Sequence, residues 1–375
     1  MDKRKNLLLL LAALAGLTGI LLALKPGRLF DDPVCAVLES RDGQLLGARI
    51  AADGQWRFPA SDTVPEKFAK AIVAFEDKRF RYHPGIDPLA IIRALRLNVK
   101  GGEVRSGAST LTMQVIRLSR GDKPRTIPEK LIEMALALRL DAYCSKDEIL
   151  ALYAGHAPFG GNVVGLEAAA WRYYGRSADD LSWAESATLA VLPNAPALIH
   201  PGRSREALLA KRNFLLDKLC ATGVIDGTEC ELAKEEPLPD KPYPLPEIAF
   251  HYLETLRKQQ GDQLYHSSID IGMQQRAEAI VKRHADVFAT NEVYNIAAVI
   301  LDVHSGEPVV YIGNAGHGSR GTSSKTPLHS VLPFAAGAVI SMVLTTVSPF
   351  LRATSAFSAG SPPTLLCKDT YILIY

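Results

Sequence analysis

The sequence has no Cys-x-x-Cys spacing and no paired histidines, so nothing in it reads as a zinc site. Its five cysteines are spread as Cys35, Cys144, Cys220, Cys230 and Cys367. Only Cys220 and Cys230 lie near enough in sequence to suggest a disulfide, and buried free thiols suit the same spacing. An excess of one charge is also missing: the formal net charge is +2 over 375 residues. That balance argues against a nucleic-acid binder and against an acidic tail. No internal repeat is apparent. The length allows two or three domains, with ample apolar content for a sizeable core.

Charge is absent again from Asn6 to Leu24, a run preceded by Lys3, Arg4 and Lys5 and followed by Lys25 and Arg28. Leu7 to Leu24 is just long enough to span a bilayer, which takes about 20 residues. The basic residues before it place residues 1–6 in the cytoplasm, 7–24 in the membrane as a transmembrane anchor, and the remainder outside. A cleaved signal peptide is the competing reading, but no small-x-small site follows the run.

Residues 25–60 are mixed, with turn signals at Asp42-Gly43 and Asp53-Gly54, and read as a linker. From Thr63 the pattern turns helical. Thr63-Val64-Pro65-Glu66 reads as a capping box with Pro at the first turn, and Phe68, Ile72 and Phe75 recur at helical spacing as a buried face. Asp87-Pro88 begins a second helix. Ser145-Lys146-Asp147-Glu148 and Ser182-Trp183-Ala184-Glu185 are two more capping boxes, and Ser204 begins a helix that stops near Gly223. Together these predict one mainly α domain over 61–235. A proline-punctuated linker, 236–265, follows. Beyond it, Ile296–Val303 and Pro308–Ile312 flank His304–Glu307 and predict a hairpin in a different, sheet-containing domain.

Chemistry concentrates in four stretches. The first is Ala74 to Gly85, where Glu76 and Asp77 stand among basic residues, two aromatics and His83. Glu76 closes a packed helix and is expected to face a cleft. The second is Gly107-Ala108-Ser109-Thr110-Leu111-Thr112-Met113-Gln114, whose small and hydroxylated residues can bring donors close to a phosphate or sugar. Taken alone, Ser or Thr before a helix is usually only a cap. The third is Arg125 to Leu138, in which Pro128 suits a helix start and Lys130 and Glu133 share one helical face. The fourth runs from Ile149 through Phe159-Gly160-Gly161 to Ala170.

These stretches resemble, in order and spacing, the four motifs of family 51 glycosyltransferases, the peptidoglycan-polymerising module of class A penicillin-binding proteins. Glu76, Asp77, Phe80, His83 and Gly85 match E-D-x-x-F-x-x-H-x-G. Gly107, Ser109, Thr110, Thr112 and Gln114 match G-x-S-T-x-T-x-Q, and Arg125, Lys130 and Glu133 match R-x(4)-K-x-x-E. Arg117 stands where the family commonly has lysine. The Ala157–Gly161 run is similar to the 1C-like branch. Gly155 departs from the pattern, since the family usually has asparagine there.

The resemblance, which covers about residues 60–230, implies a lysozyme-like α fold and lipid II as substrate. It makes Glu76 the general base and Glu133 the second essential carboxylate. Arg117, Arg125 and Lys130 would hold the diphosphate of the substrate, with Glu133 orienting them or a divalent cation, Mg or Mn. Asp77, Phe80, His83, Gly107, Ser109, Thr110 and Gln114 would shape the site, His83 as a structural hydrogen-bonder rather than a proton shuttle. The implied setting is the bacterial inner membrane, with a single span and the catalytic domain on the periplasmic side. The implied partners are the growing glycan strand and other cell-wall synthesis proteins, with no nucleic acid. Two rival functions stand beside it: a lytic glycan-cleaving enzyme, since lysozyme-like folds also cleave glycans with a single Glu, and a catalytically silent membrane scaffold, motivated by Gly155 and the incomplete C-terminal region.

Residues 266–320 resemble the truncated opening of a penicillin-binding transpeptidase domain, an incomplete α/β fragment. Such a domain needs a nucleophilic serine three residues before a lysine. Only Lys325 and Lys368 follow Gly313, and the positions three before them are Thr322 and Leu365. No transpeptidase nucleophile is therefore expected. The tail, 321–375, resembles neither the family nor a well-patterned domain and reads as a frameshift or a premature stop; a second membrane span at Pro333–Leu351 is the rival reading.

Overall fold

The computed structural model describes residues 25–101, 109–121, 123–124, 126–194, 204–290, 296–313, 365–367 and 370–374. The predicted membrane anchor at 7–24, Gly107, Arg125 and most of the tail lie outside them. Among the described residues no helix is long and apolar enough to cross a membrane.

The elements follow in this order. A hairpin of β1 (Ala36–Glu39) and β2 (Leu45–Arg49) precedes β3 (Trp56–Arg57). Helices α1 (Glu66–Glu76), α2 (Pro88–Gly101), α3 (Leu111–Ser119), α4 (Ile127–Tyr143) and α5 (Lys146–His156) come next. Strands β4 (Pro158–Gly160) and β5 (Val163–Val164) lead to α6 (Leu166–Tyr174), α7 (Trp183–Val191), α8 (Arg205–Ala221) and α9 (Gly227–Glu235). The chain continues as α10 (Phe250–Gln260), β6 (Leu264–His266), α11 (Ile271–Ala289), β7 (Ala298–Asp302), β8 (Pro308–Ile312), β9 (Leu365–Cys367) and β10 (Thr370–Ile374). The fold is mainly helical.

The chain divides into two compact units: residues 1–33 with 53–244, and residues 34–52 with 245–375. The first is the helical one. Its centre is α7, in which every residue from Ala184 to Val191 is buried. Small side chains there let α1 and α8 approach closely, and Phe68, Ala71 and Ile72 of α1 are fully buried. Burying each large apolar side chain contributes about 2–3 kcal/mol. Both serine capping boxes form: Ser145 accepts from the Glu148 N–H and Ser182 from the Glu185 N–H, each with the reciprocal carboxylate bond.

The capping box expected at Thr63 does not form. Helix α1 starts at Glu66, with Pro65, two residues after Thr63, at its N-cap and no side-chain cap. The Thr63 hydroxyl instead lies 3.2 Å from that of Ser61. Phe75 also leaves the expected core face; it is half-buried and lines a cavity.

The second unit holds two sheets. In one, β1 pairs antiparallel with β2 and parallel with β6, with Val37 opposite Leu264. Leu38, Leu46, Leu253 and Ile269 form its core. In the other the strand order is β8-β7-β10-β9. Strands β7 and β8 form the predicted hairpin, and Val310 and Ile312 pack with Val281 and Ala285 of α11. Gln274 is buried and ties the helix to the hairpin, accepting from the Tyr311 N–H at 2.8 Å and donating to its carbonyl at 3.0 Å. The stretches read as linkers are thus partly structured: 25–60 contains β1, β2 and β3, and 236–265 contains α10. The Asp42-Gly43 turn signal belongs to the β1–β2 hairpin, whose partner strand lies far along the chain.

Candidate active site

Glu76 is the last residue of α1, where the chain leaves the core. Its side chain borders a cavity of roughly 270 Å³ also lined by Lys78, Arg79, Ser109, Thr110 and Lys218. Gln114 of α3 donates from Nε2 to the Glu76 carboxylate at 2.8 Å. The first and second motifs therefore meet in space, Gln114 being the last residue of the second.

Asp77 turns the other way. It is buried, and its carboxylate faces His83 Nε2 at 2.9 and 3.0 Å and accepts from the Leu111 N–H at 3.1 Å. That N–H is one of the unpaired donors at the start of α3, so Asp77 caps the helix that carries Gln114. Thr110 is the N-cap residue of the same helix: its hydroxyl accepts from the Met113 N–H at 3.2 Å and donates to the Gly85 carbonyl at 2.6 Å. The expected roles of Asp77, His83 and Thr110 thus have a common geometry, a clasp between two loops. His83 is buried and bonded within that clasp.

Phe80 is fully buried, with the His83 ring edge-on at 6.4 Å between centroids. Lys146 sits 4.8 Å above the Phe80 ring and donates to the His83 carbonyl at 2.7 Å. Gly85 has φ +79°, and a Cβ there would overlap the Ala137 carbonyl of α4. Only glycine allows that loop and α4 to approach so closely.

Glu133 projects from the buried face of α4 and Arg117 from α3. Arg117 donates from Nε and Nη2 to the two Glu133 oxygens, each at 2.9 Å, and Nη2 lies 3.4 Å from the Ser109 hydroxyl. The Glu133 carboxylate holds the Arg117 guanidinium above its usual range, and burial works against that. Lys130, predicted to share a face with Glu133, is exposed on α4, and the ion pair of Glu133 is with Arg117 instead.

Among the described residues no group of three or more His, Cys, Asp or Glu side chains is arranged to hold a metal ion. Both oxygens of Glu133, the residue named for a divalent cation, accept from Arg117. Mg is usually held by one or two carboxylates together with water and substrate phosphates, and Glu133 is the residue that would hold it here.

Two features escaped the sequence. Arg79 pairs with Asp87 through Nε at 2.9 Å and Nη2 at 2.6 and 2.7 Å, both residues lining the cavity. Lys218, from α8, donates to the Ala74 carbonyl in the last turn of α1 and lines the same cavity. Lys218 lies in the helix that Ser204 begins, and nothing local in the sequence links it to Glu76. Gly155, by contrast, lines a separate small cavity with Phe58 and Ala60. A Cβ at Gly155 would come within 2.8 Å of the Ala60 Cβ, so the asparagine usual in the family has its place filled.

Residues 42–220 match the family described as Transglycosylase. Over these residues, just under half of its length, the chain is similar to a transglycosylase. That is the family anticipated from the four motifs. Penicillin-binding protein 1C of Escherichia coli (strain K12) is 36% identical over 247 residues, covering 66% of this chain and 32% of that protein. Penicillin-binding protein 1A of the same organism is 33% identical over 277 residues, 70% of this chain and 32% of that protein. Penicillin-binding protein 1A of Pseudomonas aeruginosa is 38% identical over 179 residues, 47% and 21% respectively. The chain therefore spans about a third or less of the length of these relatives, and the transglycosylase-like region is the part in which the clasp, the Glu76 cavity and the Arg117–Glu133 pair all lie.

Proposed function

We propose that the transglycosylase-like region is a peptidoglycan glycosyltransferase that polymerises lipid II on a lysozyme-like scaffold. The observation that carries this reading is the Glu76 carboxylate bordering an open cavity, held by Gln114 at 2.8 Å and flanked by cationic side chains. Glu76 takes the proton of the acceptor's GlcNAc 4-hydroxyl as its oxygen attacks C1 of the MurNAc at the reducing end of the lipid-linked chain. The C1–O bond to the diphosphate breaks with inversion, and undecaprenyl diphosphate leaves with the electron pair. C1 gains oxocarbenium character as this happens. The leaving group is already a good one, so it needs charge stabilisation more than protonation. Arg125 and Lys130 supply that charge, while Arg117 is oriented by Glu133. No step is assigned to a divalent cation.

A membrane setting on the periplasmic side of the inner membrane agrees with helix α4. Ile127, Leu131, Ile132 and Tyr143 of α4 are exposed, Ile127 at 79%. An apolar face of that extent suits contact with a lipid surface that delivers a polyprenyl-linked substrate. Other cell-wall synthesis proteins are proposed partners on the same grounds of shared substrate.

The test is turnover of lipid II by the full chain in detergent, comparing wild type with Glu76→Gln. Wild type should lengthen glycan strands, and the variant should lose this while keeping the wild-type unfolding midpoint. Release of short fragments from finished glycan would identify a lytic enzyme instead. Binding of lipid II without turnover by the wild type would identify a scaffold.

A further inference from the structure

Helix α1 ends with Glu76, a negative charge at the pole of the helix that is already negative. Its own sequence supplies no remedy, because the last turn of α1 contains no basic residue. Its C-cap, Asp77, has φ −153° and ψ 72° rather than a left-handed conformation, and its N–H reaches back to the Val73 carbonyl at 3.1 Å, so no glycine-type closure reaches the Ala74 carbonyl. The cation comes instead from Lys218 on α8, distant in sequence, whose Nζ donates to the Ala74 carbonyl.

Lys218 is placed to do this by the rigidity of its own helix. Leu215, Leu216 and Leu219 are fully buried, as is Arg212. Arg212 fastens α8 to the end of α9, donating to the Glu236 carbonyl at 2.5 Å and the Lys234 carbonyl at 2.7 Å. The Lys218 ammonium therefore reaches α1 from a fixed base. Burial and the charge of Lys78 push that ammonium down, and Glu76 pushes it back up.

We propose that Lys218 is a positioning residue for the reaction, closing the C-terminal turn of α1 and so fixing the Glu76 carboxylate in the cavity. The proposal rests on Glu76 acting as the base. It differs from a substrate-binding role because the bond goes to the backbone that carries Glu76. One group does two things there: it satisfies a carbonyl that α1 leaves open, and it offsets the charge that the catalytic carboxylate brings to a helix end.

The test uses Lys218→Met, which keeps the apolar stem and removes the charge, with Lys218→Arg as the conservative variant. Two readouts are taken on the full chain. Amide hydrogen exchange at residues 73–78 should quicken in Lys218→Met by about tenfold or more and return towards wild type in Lys218→Arg, with exchange in α7 unchanged. Lipid II turnover by Lys218→Met should lose about tenfold to a hundredfold in kcat with KM unchanged, and Lys218→Arg should recover part of it. Unchanged exchange at 73–78 would overturn the proposal, whatever the turnover. So would a rise in KM at wild-type kcat, which would make Lys218 a substrate-binding cation. Failure of the wild type to polymerise lipid II would count against the proposed function alone, since the exchange readout does not depend on it.

Discussion

The Arg117–Glu133 pair offers the sharpest quantitative expectation. Glu133 is almost fully shielded, with its side chain 8% exposed, whereas that of Arg117 is 31% exposed. Replacing Arg117 with Met keeps most of the packing of the stem and strands a carboxylate in the interior of α4. Stripping one partner from a buried ion pair costs about 3–5 kcal/mol. Part of the Arg117 side chain is wet, so water screens the loss and the expected cost falls to about 2–4 kcal/mol. In a domain of this size that corresponds to a fall in Tm of roughly 5–15 °C. The double variant Arg117→Met, Glu133→Met removes both charges and should regain most of that loss, because an apolar pair of similar volume needs no compensation. Denaturant unfolding of wild type, the two single variants and the double variant at neutral pH gives the coupling energy directly. A coupling below about 0.5 kcal/mol would refute the argument. So would a double variant no more stable than Arg117→Met. Either result would mean that the bidentate geometry is incidental and that solvent, not Arg117, carries the Glu133 charge.

Two further expectations rest on other parts of the chain. His156 lies edge-on to Phe30 with ring centroids 3.6 Å apart, and burial pushes its pKa from 6.5 down to about 4, the Arg57 charge adding to this and Asp32 opposing it. Between those two values the unfolded state binds more protons than the folded one, so stability falls as pH falls through that window. His156→Gln should flatten the acid loss of Tm measured across that window, and parallel curves for variant and wild type would sink the idea. The chain should also fail to form a covalent adduct with fluorescent penicillin, since residues 267–375 contain no serine three positions before a lysine. A boil-resistant labelled band on a denaturing gel is the contrary outcome.

Much of this molecule can be read from short-range pattern alone. A serine and a glutamate three residues on form a capping box because both groups reach the same helical turn, and Ser145 and Ser182 behave accordingly. The β7–β8 hairpin was legible for the same reason: two β-rich runs flank a four-residue turn. The motif spacing also nominated Glu76, Gln114 and Glu133, and the fold bonds Gln114 to Glu76 and Arg117 to Glu133. What it did not reveal is which charge meets which. Lys130 and Glu133 share a helix, and local periodicity pairs them; the packing of α3 on α4 delivers Arg117 to Glu133 instead. Thr63 shows the converse, a local signature overridden when its hydroxyl found Ser61. The parallel pairing of β1 with β6 and the reach of Lys218 to Ala74 join residues more than a hundred positions apart. No helical or strand period spans such a distance. Residue types and their local caps were determined by the sequence read on its own. Ion-pair partners, the closure of α1 and the assignment of β1 and β2 to the second unit were decided only when tertiary packing chose which surfaces would meet, because burial makes a charge or an open carbonyl costly wherever the fold leaves it unpaired.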